Sequence, residues 1–160
     1  MSVRVGIVMG SASDRPTMEH AVNVLKELGV ESEVKVLSAH RTPDALREWV
    51  AGLEARGIKV VIAGAGAAAH LAGAVAGHTM LPVIGVPLVG PTSIGGGLDA
   101  LLSTVQMPRG IPVATVAVGE PGAANAGILA AQILATGDED LASRLRQHRE
   151  ALAAKVLGSS

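Results

Sequence analysis

Short apolar runs alternate with helical patterns along nearly the whole chain, and this alternation restricts the possible fold more than any other feature. Five of the runs qualify as strands, at 4–10, 33–37, 59–65, 81–88 and 111–119. Between and after them lie segments with apolar residues three and four positions apart, the period of an amphipathic helix. Strands that alternate with helices over short connections are typical of a parallel sheet covered by helices on both faces. The sequence therefore predicts a doubly wound α/β fold.

Capping and stopping residues mark the helix boundaries. Gly29 and Gly57 follow the first two helical patterns, and Thr42 with Pro43 gives an N-cap followed by proline at the first helical position. Further helices are expected near 68–77, at 98–105, from about Ala123 to Leu134, and through Val156 in a charged last segment. Because 160 residues suit one domain, we expect a single domain over 1–157 and a flexible tail at 158–160.

A shortage of bulky side chains limits what one subunit can bury. The chain has one Trp and no Phe or Tyr, whereas glycine accounts for 20 residues. Small apolar residues let helices approach a sheet closely, but they offer each subunit limited apolar area, which stabilises at roughly 25 cal/mol per Å². We therefore expect a homo-oligomer.

Charge and cysteine content argue against several partners and chemistries. Lys and Arg number 13 against 14 Asp and Glu, for a net charge of -1 without a basic run, so neither nucleic acid nor an anionic membrane is an expected partner. The chain has no Cys, which excludes disulfides and thiolate nucleophiles and fits a reducing compartment such as the cytoplasm. The uncharged stretch 60–98 is interrupted by Pro82 and Pro87, and no 20-residue apolar helix fits within it.

The loop after the first strand, at 9–16, has the features of an anion site. Free N–H groups and the helix dipole favour a phosphate there, the hydroxyls of Ser11 and Ser13 can donate to it, and Asp14 can accept from sugar hydroxyls. The same residues also fit an ordinary N-cap formed by Ser13 or Asp14. Such caps are common, so the loop alone favours the ordinary cap over the anion site.

The stretch SAHRTP at 38–43 carries the most reactive side chains. The preceding residues have the pattern of a buried strand that ends at Ser38, ahead of His40 and Arg41. Histidine, with an ordinary pKa of about 6.5, both takes and gives a proton near neutrality, and the arginine fork suits phosphate or carboxylate. Ligands of such sheets bind at the carboxyl ends of strands, although a loop histidine beside a solvated arginine is the alternative.

A run of small residues at 63–73, AGAGAAAHLAG, follows the third strand. Gly66 can adopt torsions closed to other residues and let the backbone approach a ligand, with His70 reaching the same pocket. The alternative is tight helix–sheet packing with His70 as a satisfied core histidine, which is the commoner case. The glycine spacing does not fit a dinucleotide-binding fingerprint.

The other histidines point to no further site. His20 and His148 are expected to be solvated, and the five histidines lack metal-ligand spacing. No HExxH, GxSxG or Walker A sequence occurs. We therefore expect neither a zinc site nor a serine nucleophile.

The chain resembles the N5-carboxyaminoimidazole ribonucleotide mutase family of purine biosynthesis in six segments that keep the family's order: GSASD, SAHRTP, AGAAAHLAG, PVIGVP, LLSTVQMPRGIPVATVA and GAANAGILAAQIL. They extend from about Val5 to Leu134. The resemblance implies a flavodoxin-like, three-layer α/β/α subunit with a C-terminal helix, assembled as an octamer. It also implies a reaction without cofactor or metal, in which a carboxylate moves from the exocyclic nitrogen to ring carbon C4, giving 4-carboxy-5-aminoimidazole ribonucleotide.

The same resemblance implies roles for individual residues. Ser11, Asp14 and Arg41 would bind the phosphate and ribose, and His40 would be the acid/base. The rest of the substrate site would comprise Ser38, Ala39, Gly66, Ala67, His70 and Leu71.

The chain departs from the family's sequence pattern at two positions, and two other functions are alternatives to the mutase. Many members carry Pro where Ala72 stands and Ser where Ala100 stands, which leaves the shape of the 66–73 loop and the contacts of 90–100 open. The related carboxylases, which use aminoimidazole ribonucleotide and CO₂ directly, typically carry Lys where Arg41 stands, so this chain favours the mutase. The second rival is a non-catalytic mononucleotide-binding module, because a fold alone does not fix activity.

Overall fold

A parallel sheet of five strands forms the centre of the subunit. The computed structural model describes residues 2–159, and its strands are β1 (Val5–Met9), β2 (Ser32–Val36), β3 (Val60–Gly66), β4 (Val83–Leu88) and β5 (Ala114–Thr115). They lie in the order β2-β1-β3-β4-β5, with every neighbouring pair parallel. The strand order reverses beside β1, the position at which such sheets bind ligands.

Six α-helices connect and follow the strands in the part of the chain that the structure describes. They are α1 (Arg15–Glu27), α2 (Pro43–Ala51), α3 (Leu71–Ala76), α4 (Leu98–Val105), α5 (Glu120–Ala135) and α6 (Glu139–Gly158). Short 3₁₀ segments occur at Ala12–Asp14, Glu54–Arg56 and Gly95–Gly97. The start of α2 at Pro43 and the bounds of α4 agree with the sequence predictions.

Alternate strand residues face two separate apolar layers, as the two-residue repeat of a strand requires. On one face, Ile7 and Ile62 pack with Met18 of α1 and with the alanines of α5. On the other face, Val8 and Val61 pack against α2 and α3. Helices therefore cover both faces, which confirms the predicted three-layer α/β/α fold.

Small residues bring α1 and α5 close together. A side-chain carbon added at Gly127 would lie 2.9 Å from the carbonyl oxygen of Ala21, so a larger residue would push the helices apart. Ala123, Ala126 and Ala130 of α5 are fully buried. The close helix packing predicted from the high alanine and glycine content is therefore present between α1 and α5.

Strand β2 lies at the edge of the sheet and is only partly covered, with Val36 38% exposed. The prediction of a buried strand there is wrong, because the sequence does not reveal which strand ends the sheet. Glu33 ties this edge to α2 by accepting hydrogen bonds from Trp49 Nε1 at 2.8 Å and Arg56 Nη2 at 2.9 Å. Partial burial alone would raise the pKa of Glu33, but the hydrogen bonds from Arg56 and Trp49 outweigh it and lower the pKa.

The fifth strand is much shorter than the predicted span of 111–119. Only Ala114 and Thr115 pair with β4 in regular register, and Pro112 lacks the N–H that a ladder needs. The chain nevertheless continues beside β4, since Val116 N donates to Gly85 O at 3.1 Å and Gly119 N to Pro87 O at 2.8 Å. An irregular edge segment replaces the full strand.

Several helix boundaries differ from the predictions. Helix α2 ends at Ala51, and a separate 3₁₀ segment at Glu54–Arg56 precedes the predicted stop at Gly57. Helix α3 begins at Leu71, later than expected, because Ala69 N and His70 N bond only two residues back in tight turns. Helix α5 begins at Glu120, three residues before the predicted Ala123. Helix α6 continues to Gly158. Ser160, the last residue of the expected flexible tail, lies outside the described residues, so the tail stays a prediction.

Within residues 2–159, no helix combines the length and the apolar character needed to cross a membrane.

Candidate functional site

The carboxyl ends of β1, β2, β3 and β4 open into one cavity of about 420 Å³. All the sequence-predicted site residues except His70 line it. The lining consists of Gly10, Ser11, Ser13, Asp14, Ser38, Ala39, His40, Arg41, Ala65, Gly66, Ala67, Ala68, Leu71 and residues 89–93. Most of the residues predicted from the sequence therefore lie together at the carboxyl ends of the strands, where ligands of such sheets bind.

The loop after β1 is built around a capping box. Ser11 Oγ accepts from Ser13 N at 3.3 Å, and the Asp14 carboxylate accepts from Ser11 N at 3.1 Å. Ser11 is the N-cap of the 3₁₀ segment Ala12–Asp14. Asp14 stands at the N-cap of α1, as one of the two predicted alternatives has it, although its side chain bonds to Ser11 N and not into α1. The hydroxyls of Ser11 and Ser13 lie 2.9 Å apart, and all three side chains face the cavity. Capping and exposure to a ligand coexist in this loop.

Asp14 is in an environment that disfavours its charge. Partial burial raises its pKa, and the hydrogen bond from Ser11 N–H and the charge of Arg41 only partly oppose this. A carboxylate that has lost water in this way gains from new hydrogen-bond donors. Sugar hydroxyls in the cavity would supply such donors.

Arg41 connects the loops that follow β1 and β2. Its Nη2 donates to Gly10 O at 3.0 Å, and its backbone N donates to Ser38 Oγ at 3.0 Å. The guanidinium thereby lies at the cavity wall beside the serine hydroxyls. This end of the cavity combines one positive charge with several hydrogen-bond donors, the chemistry that a phosphate needs.

Thr42 stands at the predicted N-cap position of α2, but its side chain does not cap the helix. Helix α2 receives no hydrogen bond from the Thr42 side chain. Instead, Thr42 Oγ1 accepts from Ser38 N at 2.8 Å and donates to Ser38 O at 3.1 Å. These bonds close the 38–42 loop on itself and thereby fix the position of His40.

His40 and His70 contact one another at the mouth of the cavity. His40 Nε2 lies 2.8 Å from His70 Nδ1, and the ring centroids are 4.9 Å apart at an interplanar angle of 85°. Both residues are exposed, so the interpretation of His70 as a core histidine is wrong. His70 does not line the cavity, and it meets the site only through His40.

The remaining histidines lie elsewhere. His20 is exposed, as predicted, 3.7 Å from the Glu120 carboxylate. His148 is half-buried in a groove of about 670 Å³ between α5 and α6, so it is less solvated than predicted. Among residues 2–159, no group of three or more His, Cys, Asp or Glu side chains is placed to hold a metal ion.

The 63–73 segment approaches the cavity with a strained turn. Ala67 has a φ of 51°, in the left-handed region that costs a non-glycine residue about 1–2 kcal/mol. The prediction of unusual torsions at Gly66 therefore misses by one residue. Gly66 is needed for closeness instead, since an added side-chain carbon would lie 3.3 Å from Leu88 O.

The two departures from the family pattern are buried and lie outside the cavity lining. Ala72 is 3% exposed and Ala100 is fully buried, in α3 and α4 respectively. Neither residue lines the cavity. They belong to the buried sides of α3 and α4.

The wall formed by residues 89–93 is missing from the sequence prediction. This loop follows β4 and is folded by reciprocal bonds between Gly90 and Ser93, of which Gly90 N to Ser93 Oγ is 2.8 Å long. The sequence does indicate a possible cavity wall here, because the loop follows a strand end and contains polar residues and glycine. None of its side chains is titratable, whereas His40 is.

A larger cavity of about 810 Å³ lies near the amino ends of β4 and β5. Its lining includes Glu54 and His78, but the ring of His78 already bonds to Ala74 O. Volume alone is a weak guide to function. The 420 Å³ cavity is the better candidate because it gathers a cation, a carboxylate, several hydroxyls and an imidazole.

Comparison with known proteins gives a consistent result. The AIR carboxylase family matches residues 4–155. The N5-carboxyaminoimidazole ribonucleotide mutase of Bacillus subtilis (strain 168) is 56% identical over 160 residues, covering 100% of this chain and 98% of that protein. Its counterpart in Escherichia coli (strain K12) is 53% identical over 154 residues, covering 96% and 90%.

A solved structure agrees. The crystal structure of Treponema denticola PurE matches with a TM-score of 0.85 at 31% identity, covering 96% of this chain and 94% of that one. The whole length of the chain is thus accounted for by proteins of one family, and the resemblance inferred from its motifs is confirmed. The chain belongs to the AIR carboxylase family.

Proposed function

We propose that this protein is a mutase of purine biosynthesis that converts N5-carboxyaminoimidazole ribonucleotide to 4-carboxy-5-aminoimidazole ribonucleotide. Relatives with the mutase name are 53% to 56% identical over nearly the whole chain. The observation that carries the proposal is the cavity in which an anion-binding end, at Ser11 and Arg41, lies beside the imidazole of His40. An enzyme that moves a carboxylate within a ribonucleotide needs both.

The ribonucleotide phosphate would bind between the loops after β1 and β2. Ser11 offers a hydroxyl and Arg41 a positive charge at this end of the cavity, and charge-assisted hydrogen bonds to phosphate are among the stronger ones. Asp14 would accept hydrogen bonds from the ribose hydroxyls. The raised pKa of Asp14, caused by partial burial, supports this role because donors from the sugar would replace lost water.

His40 would carry the proton. Breaking the bond between the exocyclic nitrogen and the carboxylate leaves an electron pair on nitrogen, which takes a proton from the imidazolium. The freed CO₂ is then attacked by C4, and the neutral imidazole removes the C4 proton. The ring ends in the state in which it began, so no net proton is required. General acid–base catalysis of this kind typically contributes about 10²- to 10⁴-fold in rate.

The reacting end would be formed by small and apolar groups. Ala39, Gly66, Ala67 and Leu71 line the cavity near His40, together with Ser38. A narrow apolar pocket would hold CO₂ against the ring, and such confinement replaces a high concentration in solution. His70 would contribute through His40.

We also propose a homo-octamer located in the cytoplasm. The family resemblance supports the octamer, and several large apolar side chains near α4 are exposed on the single subunit, among them Ile94 at 74%, Leu98 at 51% and Leu102 at 52%. Apolar area of this kind is normally covered by a partner. Light scattering combined with size-exclusion chromatography gives the subunit number.

An isotope experiment tests the main proposal. Substrate labelled with ¹³C in the carboxylate is incubated with the protein in unlabelled bicarbonate buffer, and the product is read by mass spectrometry. We expect the label to be retained, because the carboxylate or the trapped CO₂ stays in the cavity. Efficient formation of unlabelled product, or faster turnover of aminoimidazole ribonucleotide with bicarbonate, would identify a CO₂-dependent carboxylase instead. Binding without turnover would indicate a mononucleotide-binding module.

A further inference from the structure

The contact between His40 and His70 joins loops from two strands that are not neighbours. His40 follows β2 and His70 follows β3, and β1 lies between these strands in the sheet. The rings meet with His40 Nε2 2.8 Å from His70 Nδ1, nearly perpendicular to each other. Two exposed histidines in separate loops do not meet at this distance by default, because each loses side-chain freedom in doing so.

Two imidazole nitrogens at hydrogen-bond distance must share one hydrogen. Two N–H groups facing each other repel, as do two lone pairs, so one nitrogen donates and the other accepts. The tautomer of each ring therefore determines that of the other. Which nitrogen of a histidine carries the proton is generally set by the partner of the other nitrogen.

We propose that His70 is a positioning residue for His40. Its Nδ1 accepts a hydrogen bond from the N–H at Nε2 of His40, and this leaves Nδ1 of His40 as the nitrogen that exchanges a proton with the substrate. This proposal rests on the function proposed above. Under this assignment, Nδ1 of His40 carries out both proton transfers, and His70 takes part in neither.

The protons balance under this assignment. In the imidazolium form, His40 donates from Nδ1 to the exocyclic nitrogen as the bond to the carboxylate breaks and its electron pair moves to nitrogen. His40 is then neutral, with its hydrogen on Nε2, and the lone pair on Nδ1 takes the hydrogen of C4 as the new carbon–carbon bond is completed. His70 keeps its own hydrogen on Nε2 throughout.

The strained turn before α3 is what aims His70. Ala67 has a φ of 51°, and the next two turns are closed by Ala69 N to Ala67 O at 2.9 Å and His70 N to Ala68 O at 2.8 Å. A left-handed torsion at a residue other than glycine persists only where the surrounding structure enforces it, and such residues concentrate at functional sites. The turn carries the backbone past the cavity and directs His70 toward His40 from outside.

Two amides of different reach test the proposal. In His70→Asn, the amide oxygen lies about as far from the backbone as Nδ1 of histidine, so it still accepts from His40. In His70→Gln, the amide extends to the position of Nε2 and this hydrogen bond is lost. We expect His70→Gln to lower kcat by about 10- to 100-fold, a part of the usual acid–base contribution, with KM changed less than about twofold. His70→Asn should retain kcat within about threefold of the wild-type value.

A spectroscopic measurement separates positioning from a merely structural effect. In protein labelled with [¹⁵N]histidine, at a pH at which both rings are neutral, we expect the ring of His40 to carry its hydrogen on Nε2 in the wild type and in His70→Asn. In His70→Gln it should become a mixture of tautomers. An unchanged tautomer or an unchanged kcat in His70→Gln would overturn the proposal. Failure of the wild type to convert substrate, with the tautomers as expected, would remove the proposed function but leave the contact established.

Discussion

The loops after β2 and β4 face each other across the same cavity, yet they are held in different ways. The 38–42 loop is closed by hydrogen bonds between Ser38 and Thr42, and Arg41 bonds to Gly10 of a third loop. The 89–97 loop ends in three consecutive glycines with positive φ, between 62° and 101°. Its Ile94 is 74% exposed.

This difference separates two tasks. Under the proposed function, the 38–42 loop would hold the proton carrier, which needs a position within tenths of an ångström of the reacting atom, and the bonds between Ser38 and Thr42 support that role. A wall that admits and releases a ligand gains from a backbone that can change its torsions, and the three glycines at 95–97 would provide that, although Ser93 and Asp99 also hold this loop through bonds from Gly90 N and Ile94 N. Substitutions in the first loop should therefore affect chemistry more than substitutions in the second.

The largest effect is expected at His40. His40→Asn removes the proton carrier but keeps a polar side chain of similar reach, so turnover should fall by at least about two orders of magnitude while product affinity stays within a few-fold. Steady-state kinetics and calorimetric titration measure the two quantities. The matched control is His20→Asn, at an exposed position on α1, which should turn over like the wild type. Normal turnover in His40→Asn would remove the catalytic assignment.

Loss of the cation in the same loop should act on binding. Arg41→Met removes charge-assisted hydrogen bonds worth about 1.5–3 kcal/mol, so the Kd of the product should rise about 10- to 100-fold. Calorimetric titration measures this change. Arg47→Met on α2, where Arg47 pairs with the exposed Asp44, is the control and should bind normally. Equal affinity in both variants would place the phosphate elsewhere.

A pair of hydroxyl deletions compares the two loops directly. Thr42→Val keeps the shape of the side chain but opens the 38–42 loop, and we expect kcat to fall about 3- to 10-fold, as for loss of one or two neutral hydrogen bonds. Ser93→Ala removes the hydroxyl that folds the other loop, and kcat should change by less than about twofold. Steady-state kinetics under identical conditions decides the comparison. A larger effect at Ser93 would reverse the roles assigned to the loops.

The smallest effect concerns stability and pH, in the loop after β1. Burial raises the pKa of Asp14 above its unfolded value, so its ionisation destabilises the fold as pH rises through that pKa. Asp14→Asn should therefore be more stable relative to the wild type at pH 7 than at about pH 4. Urea unfolding at both values measures the difference.

Asp138 supplies the control of opposite sign. Hydrogen bonds from Leu141 N and Arg4 lower its pKa, so its stabilising contribution is present at pH 7 and is lost in acid. Asp138→Asn should be less stable than the wild type at pH 7, with a smaller deficit near pH 4. The same sign of change in both variants would contradict the environment assigned to Asp14.

Local sequence patterns predict most helices and strands but cannot predict which of them contact one another in the fold. The Thr42-Pro43 start of α2 and the bounds of α4 follow from neighbouring residues. The edge position of β2 and the contact between His40 and His70 depend on strand order, which no local pattern contains. The left-handed torsion falls at Ala67 because the turn into α3 demands it there, although Gly66 is the residue with the greater intrinsic freedom.

The crystal structure of the protein with its product bound is the most direct test of the whole account. We expect the phosphate between Ser11 and Arg41, and an imidazole nitrogen of His40 within about 3–3.5 Å of C4 or the exocyclic nitrogen, the range of a reactive arrangement. A phosphate bound elsewhere, or a His40 ring that no part of the heterocycle approaches, would contradict the account.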